Sequence, residues 1–136
     1  MKISNLTLGS IPWPGRPEMS CLDYKIGRIQ LAKHLDVQDS IGSLSVHRRY
    51  AKQLLLKEKS EFLSGRVPLY VCSCCADLAC GAVTVKIETT AEGILWSNFG
   101  WEGPDKIGIS QSGYLAGTGP FLFDEEQYRY VLSTWE

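Results

Sequence analysis

Ala82-Val83-Thr84-Val85-Lys86-Ile87-Glu88, Ala91-Glu92-Gly93 and Ile94-Leu95-Trp96-Ser97-Asn98-Phe99 together form the stretch that decides the fold. Its first part alternates apolar and polar residues, the period of a strand with one face buried and one face wet. Its centre is a turn. Its last part is apolar and aromatic and reads as the returning strand. Upstream, Arg66-Val67-Pro68-Leu69-Tyr70-Val71-Cys72 is β-branched and aromatic, so it reads as a buried strand. The three strands predict an antiparallel meander.

Downstream, residues 100–119 are rich in glycine and read as one long loop, a place where binding function often sits. Phe121-Leu122-Phe123 follows, then Asp124, a residue suited to an N-cap. Glu125 and Glu126 occupy the first turn, where the helix dipole favours acids, and Gln127 stands at the capping-box position. Tyr128, Val131, Leu132 and Trp135 share one helical face. The pattern predicts a helix over 124–134 whose apolar face, with Phe121 and Phe123, joins the core.

The N-terminal half is less regular. Residues 2–8 alternate and predict a strand. Pro12-Trp13-Pro14-Gly15-Arg16-Pro17 is expected to interrupt regular structure. Cys21 to Ile26 reads as a strand with a turn at Gly27. Ile29 to Leu35 reads as a short helix ending near Asp36. His47 to Leu56 fits a helix, although Leu54-Leu55-Leu56 also fits the opening of a strand. The expected fold class is therefore α+β: an antiparallel sheet of about five strands, the C-terminal helix and one or two short helices, in a single domain over residues 1–136.

Length and composition agree with that class. The chain has 136 residues, 44% hydrophobic and 21% charged, close to a soluble globular domain. No apolar run is long enough for a membrane helix, and the N-terminus lacks the apolar centre of a signal peptide, so a cytosolic location is expected. The net charge of −1 argues against general binding to nucleic acid or membranes. The charge is uneven, however. Residues 1–66 carry eleven Lys/Arg against six Asp/Glu, and residues 67–136 carry three against nine. An acidic face for a basic partner is one reading of that asymmetry, and chance scatter is the other.

Four of the five cysteines lie in Cys72-Ser73-Cys74-Cys75-Ala76-Asp77-Leu78-Ala79-Cys80-Gly81. Cys72 and Cys75 form a C-x-x-C pair. A structural zinc needs four ligands. Cys74 would point to the strand face opposite Cys75, no second C-x-x-C exists, and His34 and His47 fall on other elements. A redox pair would need a helix N-terminus to lower a thiol pKa, and strands flank this loop on both sides. The expectation is a tight loop of reduced, metal-free thiols that behave as small hydrophobes. His34 and His47 read as surface or cap residues, and Gly113, Gly117 and Gly119 lack the spacing of a phosphate loop. No catalytic residue and no cofactor is expected.

The Arg66 to Cys72 strand, the Cys75/Asp77/Cys80-Gly81 loop, the Ala82 to Glu88 strand, Trp96-x-x-Phe99, and Gly119-Pro120-Phe121-x-Phe123 with Tyr128 downstream resemble one family of small bacterial proteins often labelled oxidoreductases. The resemblance spans roughly residues 21–132 and is strongest from 66 to 99. Members usually carry glycines around the loop aspartate, where this chain has Ala76 and Ala79, and Cys74 is extra. The label implies a metal- or thiol-dependent protein. In size and general character the chain is also similar to the immunity proteins of bacterial toxin systems, which act by binding alone. The leading expectation is such a cytosolic protein, with no enzymatic activity, that neutralises a toxin domain, possibly a nuclease, by covering its active site. Trp101, Glu102, Asp105 and Tyr114 in the long loop, with Glu92 in the preceding turn, are the expected partner-binding residues. Trp13 and Trp101 are expected in loops, as local plugs or as anchors.

Overall fold

The computed structural model describes residues 2–13, 16–35, 41–43, 48–72, 81–103, 115 and 117–134. The chain runs β1 (Ile3–Ser4), β2 (Leu6–Trp13), β3 (Arg16–Ile26), β4 (Ile29–Gln30), α1 (Leu31–His34), β5 (Ile41–Ser43), α2 (Arg48–Leu54), β6 (Val67–Cys72), β7 (Ala82–Thr90), β8 (Gly93–Glu102), β9 (Phe121–Phe123) and α3 (Glu125–Ser133). The mixture of α and β elements is as expected, but the sheet is not. Six strands form one sheet in the order β1-β9-β8-β7-β6-β5, and β2-β3-β4 form a second. The larger sheet is mixed, because β1 runs parallel to β9 while its other neighbours pair antiparallel.

Three further expectations are corrected. Pro12 does not interrupt the N-terminal strand: β2 continues through it, opposite Ser20 on β3. Leu6 turns its amide and carbonyl away from β3, toward the Gln127 side chain. With an unbroken register down to Pro12, the missing N–H of Pro12 faces the same open side, where an edge strand tolerates it. Trp13 is therefore a strand residue opposite Arg16 rather than part of a loop. Ile29 and Gln30, expected in a helix, instead pair with Ile26 and Lys25 before α1 begins.

The β7–β8 hairpin turns on Ala91 and Glu92, with the Thr90 hydroxyl accepting from the amides of Glu92 and Gly93, both at 3.2 Å. Gly93 cannot be replaced here. Its φ is +145°, and a Cβ would lie 2.1 Å from the Phe123 carbonyl oxygen. That close approach seats β9, and so the start of α3, against the hairpin. Farther along, Asn98 and Phe99 of β8 stand opposite the single residue Val85, a bulge with Asn98 at φ 55°.

Both sheets and all three helices feed one apolar core. Trp96, fully buried, sits at its centre, with Tyr24, Phe99, Phe123 and Tyr128 packed edge-to-face at 5.1–6.3 Å. α3 covers this cluster. Asp124 accepts from the Gln127 amide at 3.0 Å, the cap its sequence predicted, while Tyr128 and Leu132 face inward. Phe123 is buried and Phe121 half-buried; Trp135 lies outside the described residues.

Candidate functional site

Three polar clusters among the described residues sit in or beside the core. The first joins the segment before β6 to β7 and β8. Arg66 Nε donates to Thr84 Oγ1 at 2.9 Å, and its Nη2 donates to the Thr84 carbonyl at 3.0 Å and to the Asn98 carbonyl. The bulge supplies that last acceptor, since a left-handed Asn98 turns its carbonyl out of the ladder. Glu102 Oε1 lies 3.7 Å from Arg66 Nε. The carboxylate also accepts from Thr84 Oγ1 at 3.2 Å and from Ser64 Oγ at 2.9 Å.

The second cluster holds Asp23, whose carboxylate accepts from the amides of Tyr24 at 2.8 Å and Ala32 at 3.4 Å and from the Tyr70 hydroxyl. Burial raises the Asp23 carboxyl above its ordinary range, and these hydrogen bonds pull it partly back. In the third, Trp96 Nε1 donates to Tyr128 Oη at 3.1 Å, and Tyr128 donates to the Leu54 carbonyl at 2.6 Å. Burial pushes the Tyr128 phenol upward, so it stays protonated and keeps that donor.

None of these clusters offers an exposed nucleophile beside a base. Among the described residues, no three His, Cys, Asp or Glu side chains gather closely enough to hold a metal ion, and no helix is long and apolar enough to cross a membrane. The cysteine loop 73–80, the Cys72 side chain and His47 lie outside what is described.

The expected partner-binding residues divide. Glu102 is 0% exposed, so it is not a rim charge; Arg66 and Thr84 hold it inside. Trp101 is not in a loop. β8 runs on through it, opposite Val83, and its half-buried ring packs on the core. The chain after it also returns, with the Leu115 amide donating to the Phe99 carbonyl at 2.9 Å. Asp105 and Tyr114 lie outside the described residues. Glu92 is exposed at the hairpin tip, as expected.

The hairpin tip has company that sequence reasoning missed. Because Gly93 abuts Phe123, the turn at Glu92 lies next to the chain that leads into α3, whose first residues Asp124, Glu125 and Glu126 are exposed. Arg129 comes within 3.9 Å of Glu125; Glu92 and Glu126 have no ion pair among the described residues. One turn after Glu126 on the same helix face stands Tyr130, 74% exposed. A helical projection of 124–134 puts Tyr130 opposite buried Tyr128, and that signal would have found it. Nothing local marks Arg66 as buried, since Thr84, Asn98 and Glu102 lie far away in the chain, and the Tyr70 hydroxyl that holds Asp23 is equally distant. No protein-family model, curated protein or solved structure matches this chain.

Proposed function

We propose that this protein is a cytosolic binding protein, with no chemistry of its own, that neutralises a bacterial toxin domain as an immunity protein does. The observation that carries this reading is the edge where Glu92, Asp124, Glu125 and Glu126 gather beside exposed Tyr130. Among the described residues Glu92 and Glu126 have no ion pair, and exposed carboxylates steer a basic surface toward them. An exposed tyrosine among them supplies the aromatic contact on which binding energy concentrates. A toxin that handles nucleic acid has such a basic active-site groove, and an acidic edge with an aromatic anchor can cover it. The inward commitment of Arg66, Glu102 and Asp23 fits a protein that uses its polar groups for stability.

The test is co-expression with the toxin domain encoded beside its gene. The expected result is restored growth, and a stable complex whose affinity falls about tenfold or more with Tyr130→Ala. Growth arrest that the protein leaves unrelieved, with no complex formed, overturns the proposal.

A further inference from the structure

The excess of positive charge in residues 1–66 plays no part in the reading above, and much of it converges in one place. A cleft of about 410 Å³ is lined by Lys25, Arg28, Ile29, Gln30, Lys33 and His34. Local geometry assembles it. Lys25 on β3 stands opposite Gln30 on β4, so their side chains share one face of the strand pair. Gln30 is the N-cap of α1, which places Lys33 and His34 three and four positions on, on its own helical face. Arg28 stands in the turn between the two strands. Leu31 and Ala32 are buried, which fixes Lys33 and His34 outward. All four basic side chains are exposed.

Among the described residues, no carboxylate lines this cleft and none of its basic groups has an ion pair. The nearby Asp23 faces inward to Tyr24, Ala32 and Tyr70 and does not neutralise it. Three permanent cations without a counter-charge repel one another, and an anion that bridges them removes that repulsion. A single carboxylate leaves most of the charge unmatched, whereas an oligophosphate matches it. Arg28 offers a planar fork for phosphate oxygens, and the lysines act as point charges. The volume suits a small ligand and not a folded partner.

We propose that this cleft binds a small molecule through an oligophosphate group carrying several negative charges. The inference does not rest on the toxin-binding reading, since it uses a different surface. Calorimetric titration of the full chain with sodium tripolyphosphate, and separately with ATP, tests it. Saturable binding that weakens steeply with added salt is expected. Arg28→Ala and Lys33→Ala should each weaken it about tenfold with an unchanged melting temperature, because both side chains are exposed. Lys86→Ala, an exposed lysine 3.0 Å from Glu88 on β7, should leave affinity as it was. Equal affinity for the two ligands makes the phosphate chain the whole ligand, and tighter binding of ATP makes it a nucleotide; both support the proposal. Absence of binding at millimolar concentration overturns it, and so does equal weakening by Lys86→Ala, which would mean diffuse attraction to surface charge.

Discussion

A carboxylate that is completely enclosed behaves differently from one on a rim, and Glu102 shows the difference. Removing it strands the Ser64 and Thr84 hydroxyls that donate to it and weakens the hold on Arg66, a loss of about 1–3 kcal/mol. Glu102→Ala should therefore destabilise the protein by an amount in that range in urea denaturation, and Glu102→Gln should recover part of it through the Ser64 and Thr84 contacts. A loss below about 1 kcal/mol for Glu102→Ala would mean that Arg66 is satisfied without it. Trp101 belongs to the same strand end and packs on the core, so Trp101→Ala should lower the melting temperature. Loss of toxin affinity at full stability would instead return Trp101 to the interface. Asp23 adds a pH signature. Its raised carboxyl binds a proton more tightly in the folded protein than in the unfolded chain, whose aspartates titrate near about 3.9. Its stabilising contribution is thus complete below that pH and is lost as pH rises through the folded-state value. Asp23→Asn cannot ionise, so relative to the parent it should gain stability as pH rises across that window. Parallel stability profiles for the two proteins would show that Asp23 titrates as it does in the unfolded chain.

At the scale of elements, α3 rests on local rules and on distant bonds, Gln127 to Leu6, Tyr128 to Leu54 and Arg129 to Leu55. Tyr128→Phe keeps the ring but strands the Trp96 Nε1 donor and the Leu54 carbonyl, each buried. Such orphaned groups cost about 1–3 kcal/mol, and the expected reading is a lower urea midpoint with an unchanged slope. An unchanged midpoint would require a water to replace the hydroxyl. The same contrast explains what the sequence disclosed. α3 was legible because its cap, its acidic first turn and its apolar face are all encoded within ten neighbouring positions. The β7–β8 hairpin was legible because strict alternation leaves one register that buries one face. The strand expected over residues 2–8 covers β1 and the start of β2, and the rest of β2 was hidden because the effect of Pro12 depends on which edge of the sheet it faces, which only the pairing with β3 decides. β4 was hidden because two residues are too few to show a period. The Arg66–Glu102 pair joins the residue before β6 to the end of β8, with β7 between them in the chain, and no local pattern announces it. Glu92 was found because a hairpin tip is exposed by construction, whereas Glu102 was misplaced because β8 outlasts its apolar run.

For the whole molecule, the uneven charge of the sequence resolves into two kinds of surface. Basic residues of the N-terminal half line the cleft between β3, β4 and α1, and acidic residues of the C-terminal half gather where the β7–β8 hairpin meets α3. The fold sets the second apart through one backbone contact, Gly93 against Phe123, which couples a hairpin tip to a helix start. Charges presented this way act on encounter more than on the finished complex. Glu92 and Glu126 are unpaired among the described residues, so reversing both to Lys removes attraction without breaking a fold contact. In stopped-flow or surface-plasmon measurements against the cognate toxin domain, the doubly reversed variant should associate at least about tenfold more slowly at low salt. Its association rate should also lose most of its dependence on ionic strength, because exposed charges act over about 10 Å at 0.1 M salt. Tyr130→Ala should do the opposite: association nearly unchanged, dissociation faster, since an aromatic anchor is engaged only after docking. Tyr130→Ala should melt with the parent protein, because it alters no buried group, and the doubly reversed variant slightly below it, because Glu126 lies in the first turn of α3, where the helix dipole favours an acid. A doubly reversed variant that associates as fast as the parent, with the same salt dependence, would remove this edge from the interface and leave the other faces of the molecule to meet the toxin.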